Sequence, residues 1–120
     1  MFTFKVALIK PAINRDDLEK IDVRVGTVIL VEDVVGSESL VKLIVDFDDR
    51  KRTILVGMKK ERENPKEIQG KQALFVVNMT PKKIMGQVSE GMLFGIGYSD
   101  GIKPALAIPE FHVPNGSRAG

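Results

Sequence analysis

A small all-β barrel with short helices is the fold class this sequence predicts, and three observations predict it. Segments of two-residue hydrophobic alternation recur along the chain, β-branched residues crowd into them, and Gly, Asp, Asn and Ser separate them at turn positions. At 120 residues and 13.3 kDa, a folded chain keeps roughly 6,500 Å² of the roughly 19,000 Å² that its unfolded form exposes. That burial suits one hydrophobic core, so residues 1–120 are read as a single domain with the barrel at about 14–97 and flanks at 1–13 and 98–120.

Residues 1–10 alternate Phe2, Phe4, Val6 and Leu8 against Thr3, Lys5 and Ala7, which is strand periodicity and lacks a signal peptide's unbroken apolar stretch. Asn14, with Asp17 three residues on, caps a short helix at about 15–20. Residues 21–35 are rich in β-branched side chains and alternate until Gly26, so they predict a long strand bent or bulged near that glycine. A turn at Gly36 and Ser37 leads to a second strand, 41–47, with one polar face. The turn at 48–50 leads to a third, 52–57. Then the period changes. Asn64, Pro65 and Glu67 supply a cap, a first-turn proline and an acidic third position before Ile68, and Gly70 stops a helix of one to two turns. Residues 71–79 form a fourth strand and 90–98 a fifth, whose Gly91, Gly95 and Gly97 permit sharp coiling. A long bent first strand and one short helix between strands three and four is the order of a five-stranded Greek-key OB-fold barrel. An SH3-like barrel or a sandwich accommodates the same elements.

Composition narrows the chemistry. No cysteine means no disulfide and no thiolate, and the single histidine, His112, cannot build a His-only zinc site. The longest apolar runs, 28–31 and 73–77, fall far short of the roughly 20 residues that cross a bilayer, so a soluble cytoplasmic protein with no membrane contact is expected. Ser89 has no histidine near it in sequence. Asp46, Asp48 and Asp49 lack the calcium-loop spacing. No catalytic constellation emerges, and the expectation is a non-enzyme without cofactor or metal.

Charge is divided unevenly. Residues 1–49 carry six basic and ten acidic groups, net −4, and residues 50–72 carry eight basic and three acidic groups, net +5. The basic block is Arg50, Lys51, Arg52, Lys59, Lys60, Arg62, Lys66 and Lys71, with Lys82 and Lys83 close behind. Local potential, more than net charge, attracts a polyanion, so this block suits a phosphate-binding face or a solvated face of mixed charge. In an OB-fold the ligand crosses strands two and three between the loops joining strands one to two and four to five. The second of these, 80–89, places Lys82 and Lys83 between Pro81 and Gly86.

The residues of that region are familiar. Val77-Asn78-Met79-Thr80-Pro81-Lys82-Lys83-Ile84-Met85-Gly86, followed by Ser89-Glu90-Gly91-Met92-Leu93, resembles the signature of the tRNA-binding-domain family of OB-folds, and Ile21-Asp22-Val23-Arg24-Val25-Gly26 resembles its opening strand. Members occur as C-terminal appendages of methionyl-tRNA synthetases, in eukaryotic synthetase complexes, and as small stand-alone bacterial proteins. The resemblance implies binding to folded tRNA without sequence reading, and an aminoacyl-tRNA synthetase as a further partner. It implies Lys82 and Lys83 on phosphates, and Asn78 and Ser89 donating hydrogen bonds to RNA. Glu90 would accept from a base amine or ribose hydroxyl, and Met92 would pack on an exposed base. Arg24 and Lys42, on the polar faces of strands one and two, are secondary candidates. Structural roles suit the same residues: Asn78 as a loop cap, Ser89 and Glu90 paired with neighbouring amides, Met92 in the core. Thr80 and Met85 stand where members often carry basic or polar residues, and Gly57-Met58 replaces a common Ser-Gly pair. A weaker affinity follows from these departures. The ending, Val113-Pro114-Asn115-Gly116 and Gly120, resembles the secretion-chaperone branch of the family, which implies the alternative of binding unfolded or preprotein chains.

Apolar residues remain after the barrel strands are assigned: Phe2, Phe4, Val6 and Leu8 before it, and Ile102, Ala105, Leu106, Ala107, Ile108, Phe111 and Val113 after it. Large apolar patches are uncommon on monomers. A homodimer joined through the flanks is therefore expected, as the resemblance also implies.

Overall fold

The alternating segments pair into one antiparallel sheet. The computed structural model describes residues 4–120. In it a short helix α1 (Arg15–Leu18) precedes β1 (Val23–Asp33), β2 (Leu40–Asp46) and β3 (Lys51–Gly57). A 3-10 turn (Pro65–Ile68) then leads to β4 (Gln72–Val76), β5 (Lys82–Ile84), β6 (Gln87–Ser89), β7 (Met92–Leu93) and β8 (Arg118–Ala119). The sheet runs β3-β2-β1-β4-β7, with β8 added to β1, and β5–β6 is a separate hairpin. This is the OB-fold strand order, with β7 as the fifth barrel strand.

Both helical segments begin where their caps predict. Asn14 Oδ1 accepts from the Asp17 amide at 2.9 Å, and Asn64 Oδ1 accepts from the Lys66 amide at 3.2 Å. The second segment is a single 3-10 turn because its task is to deliver one side chain: Ile68 is wholly buried and plugs the barrel beside Phe75, Leu43 and Met58. Phe47 and Phe75 meet edge to face in the same core, with centroids 5.6 Å apart.

The break in β1 falls later than Gly26. Val28 faces Val45 and Leu30 faces Ile44, so Ile29 is the extra residue of the bulge. Gly26 serves packing instead, since a Cβ there would lie 2.5 Å from Val45 Cγ1 and 2.7 Å from Phe47 Cε1. The fifth strand is shorter than 90–98, being Met92–Leu93, and the expected loop 80–89 is a hairpin. Residues 4–13 form no strand and are exposed, Leu8 and Ile9 almost completely, whereas Phe2 lies outside the described residues. Among the described residues their alternation finds no partner edge.

The C-terminal segment straps the barrel. Gly116 N–H donates to Val25 O, Val25 N–H to Ser117 O, Thr27 Oγ1 to Asn115 Oδ1, and Gln72 Nε2 to both Val113 O and Asn115 Oδ1. Gly116 has φ +90° and passes so close to β2's end that a Cβ would stand 2.6 Å from Phe47 O. Only glycine fits that crossing.

Candidate nucleic-acid interface

The hairpin β5–β6 lies beside β3, carries exposed lysines and is fixed at both ends. At its root the Asn78 side chain reaches back 56 residues: Oδ1 accepts from the Asp22 amide at 2.9 Å, and Nδ2 donates to Lys20 O at 2.6 Å. Val77 N–H donates to Asp22 O beside them. At its exit Ser89 is buried, only 7% exposed, and its Oγ accepts from the Leu55 amide at 3.0 Å and donates to Gly91 O at 3.2 Å. Glu90 N–H donates to Thr53 O at 2.8 Å, and Glu90 Oε1 accepts from the Thr53 amide at 3.1 Å. The seam between β3 and the β6–β7 segment is thus held by one backbone hydrogen bond together with two side-chain acceptors standing in for carbonyls. In this structure Asn78, Ser89 and Glu90 place the lysines, and the Asn78 amide, the Ser89 hydroxyl and one Glu90 carboxylate oxygen are engaged within the chain.

The hairpin turns through Met85 and Gly86, both left-handed at φ 51° and 78°, which a two-residue turn with this pairing demands. Met85 holds a conformation that glycine or asparagine adopts more easily. Lys82 and Lys83 lie on β5 and are both exposed. Adjacent strand residues face opposite ways. Lys82 therefore shares its face with Ser89, turned toward β3, and Lys83 shares its face with Val88, turned outward. Met92 stands on β7 opposite Val76 and is exposed.

Arg24 and Lys42 are placed differently. Arg24 faces Phe75 across β1–β4, on the inward side, and closes the end of the barrel, where Nε and Nη2 donate to the Asp22 carboxylate at 3.1–3.3 Å. Lys42 lies on the outer face between Glu32 of β1 and Leu55 of β3, its Nζ 4.0 Å from Glu32 Oε2. Beside Arg24, Arg52 Nη1 donates to Val77 O and Glu90 O, and the guanidinium sits 5.9 Å from the Phe47 centroid. Asp22, Arg24, Phe47, Asp49, Arg52 and Asn78 line a polar recess of about 200 Å³ at this mouth.

Three cations of the basic block face inward: Arg52 as above, Arg62 paired with Glu67, and Lys59 engaged with the β1–β2 loop. Arg50, Lys51, Lys60, Lys66 and Lys71 remain exposed. At the acidic turn Asp46 Oδ1 accepts from the Asp48 amide, with Asp48 at φ 76°. Roles for Arg52, Lys59 and Arg118 carry no local sequence signal, because each is defined by a partner at least 22 residues away.

Asp22 carries a pH dependence. The Arg24 guanidinium holds its carboxyl below the usual aspartate range; partial burial opposes this, and Arg118 Nε, donating at 3.1 Å, reinforces it. A lowered folded pKa stabilises above the unfolded value of about 4 and ceases to do so as pH falls through the folded value. Urea midpoints of the wild type and Asp22→Asn should therefore differ at pH 6, the variant being weaker, and converge once acidification passes the lowered folded value. A pH-independent gap would remove Asp22 as the acid-sensitive clasp of β8.

A wide groove of about 880 Å³ lies on the opposite face of β1 and β4, lined by Leu18, Ile21, Val23, Leu74, Phe94 and Ala119 among others.

Comparison with known proteins follows this geometry. The family model described as "Putative tRNA binding domain" matches residues 23–118. The chain is 38% identical over 116 residues to the Methionine–tRNA ligase of Clostridium acetobutylicum, a match covering 96% of this chain and 18% of that protein. It thus spans less than a fifth of this curated relative's length. Among solved structures it is similar to the MetRS related protein from Pyrococcus horikoshii, with a TM-score of 0.84 and 37% identity over 92% of this chain and 100% of that one. It is also similar to the chaperone CsaA from Bacillus anthracis str. Ames, with a TM-score of 0.78 and 29% identity over 92% of this chain and 100% of that one.

Proposed function

The chain belongs to the tRNA-binding-domain family, and from that premise we propose that it binds folded tRNA by shape and backbone, without reading sequence and without catalysing a reaction. The observation that carries this reading is a lysine-bearing hairpin pinned at both ends to a rigid barrel. Ordering it in advance means that little entropy is lost when phosphates are gripped. Stacking platforms for unpaired bases are missing from the proposed surface: no aromatic residue lies on β2, β3, β5 or β6, Phe47 and Phe75 are in the core, and the exposed rings of Phe4, Phe94, Tyr98 and Phe111 lie outside those strands. Of the two hairpin lysines, Lys82 is the proposed phosphate contact and Lys83 lies on the hairpin's outer face, with Arg24, Lys42 and Met92 bordering the surface that Asn78, Ser89 and Glu90 hold in place. An aminoacyl-tRNA synthetase is the proposed protein partner, and the cytoplasm the proposed location.

A homodimer belongs to the same proposal. The surface of 8550 Å² exceeds the roughly 6,500 Å² expected for this mass, and the 14.9 Å radius of gyration exceeds the roughly 13.6 Å of a compact chain of this length. The excess is where apolar side chains stand uncovered, at Phe4, Val6, Leu8 and Ile9 and at Ile108 and Phe111. Light scattering on a sizing column should report about twice the 13.3 kDa chain mass. A monomer at micromolar concentration would sink this part.

The second reading, binding of unfolded polypeptide, is favoured by one observation: Met79, Met85 and Met92 are all about half exposed around the hairpin, and flexible thioethers suit promiscuous apolar contact. A titration of bulk tRNA, duplex RNA and an unfolded polypeptide at several salt concentrations separates the two. The tRNA reading requires preference for folded tRNA and a negative slope of log affinity against log salt. Binding of polypeptide without tRNA would replace it.

A further inference from the structure

Lys59 is the most completely satisfied cation of the basic block. It follows Met58, a core residue, and its backbone N–H donates to Ser39 O at 3.1 Å. Its Nζ donates to Ser37 O at 2.6 Å and Val34 O at 3.2 Å and is paired with the Asp33 carboxylate. An ammonium has three N–H donors and no acceptor. Two loop carbonyls and the carboxylate at the end of β1 meet them, so no donor is left for a phosphate.

The loop so held joins β1 to β2. Its inner order comes from Ser37, whose Oγ accepts from the Leu40 amide at 2.9 Å and the Ser39 amide at 3.3 Å, and from Gly36 at φ +87°. The loop also comes near the hairpin tip: a Cβ on Gly36 would lie 3.6 Å from Met85 Cε. The loop is therefore held by the Lys59 ammonium and adjoins the hairpin that carries Lys82 and Lys83. Asp33 also has its charge neutralised at the edge of a surface meant for phosphates.

We infer that Lys59 is a positioning residue for RNA binding: it pins the β1–β2 loop so that the hairpin tip seats on Gly36 and the two walls of the binding surface keep a fixed separation. This rests on the tRNA-binding reading. Without the pin, only a fraction of free molecules present both walls correctly, and the apparent dissociation constant rises by the inverse of that fraction.

The test is Lys59→Met, which keeps the length of the stem and removes all three donors. Amide exchange of residues 35–40 in the free protein should quicken by roughly tenfold, and the tRNA dissociation constant should rise by about the same factor. The slope of log affinity against log salt should stay that of the wild type. Lys59→Arg serves as the milder variant, keeping the charge on a planar fork that cannot meet three converging oxygens; it should share the faster exchange. A slope smaller by about one unit in Lys59→Met would make Lys59 a phosphate ligand and overturn the inference. Unchanged exchange, or full rescue by Arg, would overturn it as well. Failure of the wild type to bind tRNA would instead overturn the functional reading, and accelerated exchange in Lys59→Met would still establish the pin.

Discussion

Replacing Ser89 and Glu90 together by alanine should lower the melting temperature by on the order of 10 °C. The two side chains accept from the amides of Leu55 and Thr53 along β3, and no other strand stands there to replace them. An amide left unpaired in a buried seam costs about 1–3 kcal/mol. The Leu55 site bears this in full because Ser89 is buried, and the partly buried Glu90 site less because water reaches it. A combined loss of about 2–4 kcal/mol is a large part of a small domain's stability. Thermal melting and urea titration of each single variant and the pair would measure it, with Ser89→Ala the more damaging single change. The same experiment separates two kinds of role. Residues acting only on RNA would weaken tRNA binding and leave the melting curve where it was.

Loss of tRNA affinity in the Lys82→Ala, Lys83→Ala double variant is the second large expected effect, and the hairpin geometry sharpens it. Two lysines on a flexible loop could both reach phosphates, which would lower the magnitude of the salt slope by about two. On β5 they face opposite ways, so one RNA surface meets one of them. The slope should fall by about one unit. Lys82→Ala alone should reproduce nearly all of it, since Lys82 shares the face of Ser89 that turns toward β3, and Lys83→Ala should leave it close to wild type. Both variants should melt normally because both side chains are exposed. Equal partial losses would mean that RNA wraps the hairpin, and an unchanged slope in the double variant would remove the hairpin from the interface.

Strand periods, caps and turn glycines determined much of this protein before any contact was known. The Asn14 and Asn64 caps, the four long strands of the barrel and the family signature over 77–93 are all legible along the chain, because each depends on neighbours within a few residues. Tertiary structure decided the rest. The bulge moved to Ile29 because Gly26 is needed for close packing on Val45 and Phe47. The loop at 80–89 became a hairpin because its two ends are seized from afar. Asn78 reaches residues 20 and 22, Ser89 meets Leu55, and Glu90 meets Thr53, across 34 to 58 residues of chain. Charge counting placed Lys59 and Arg52 on the same basic face as Lys51, yet folding turned those two inward onto carbonyl oxygens. A residue's type sets which bonds it can make; which bonds it does make depends on the strand that passes beside it, and in a barrel that strand is nearly always distant in sequence.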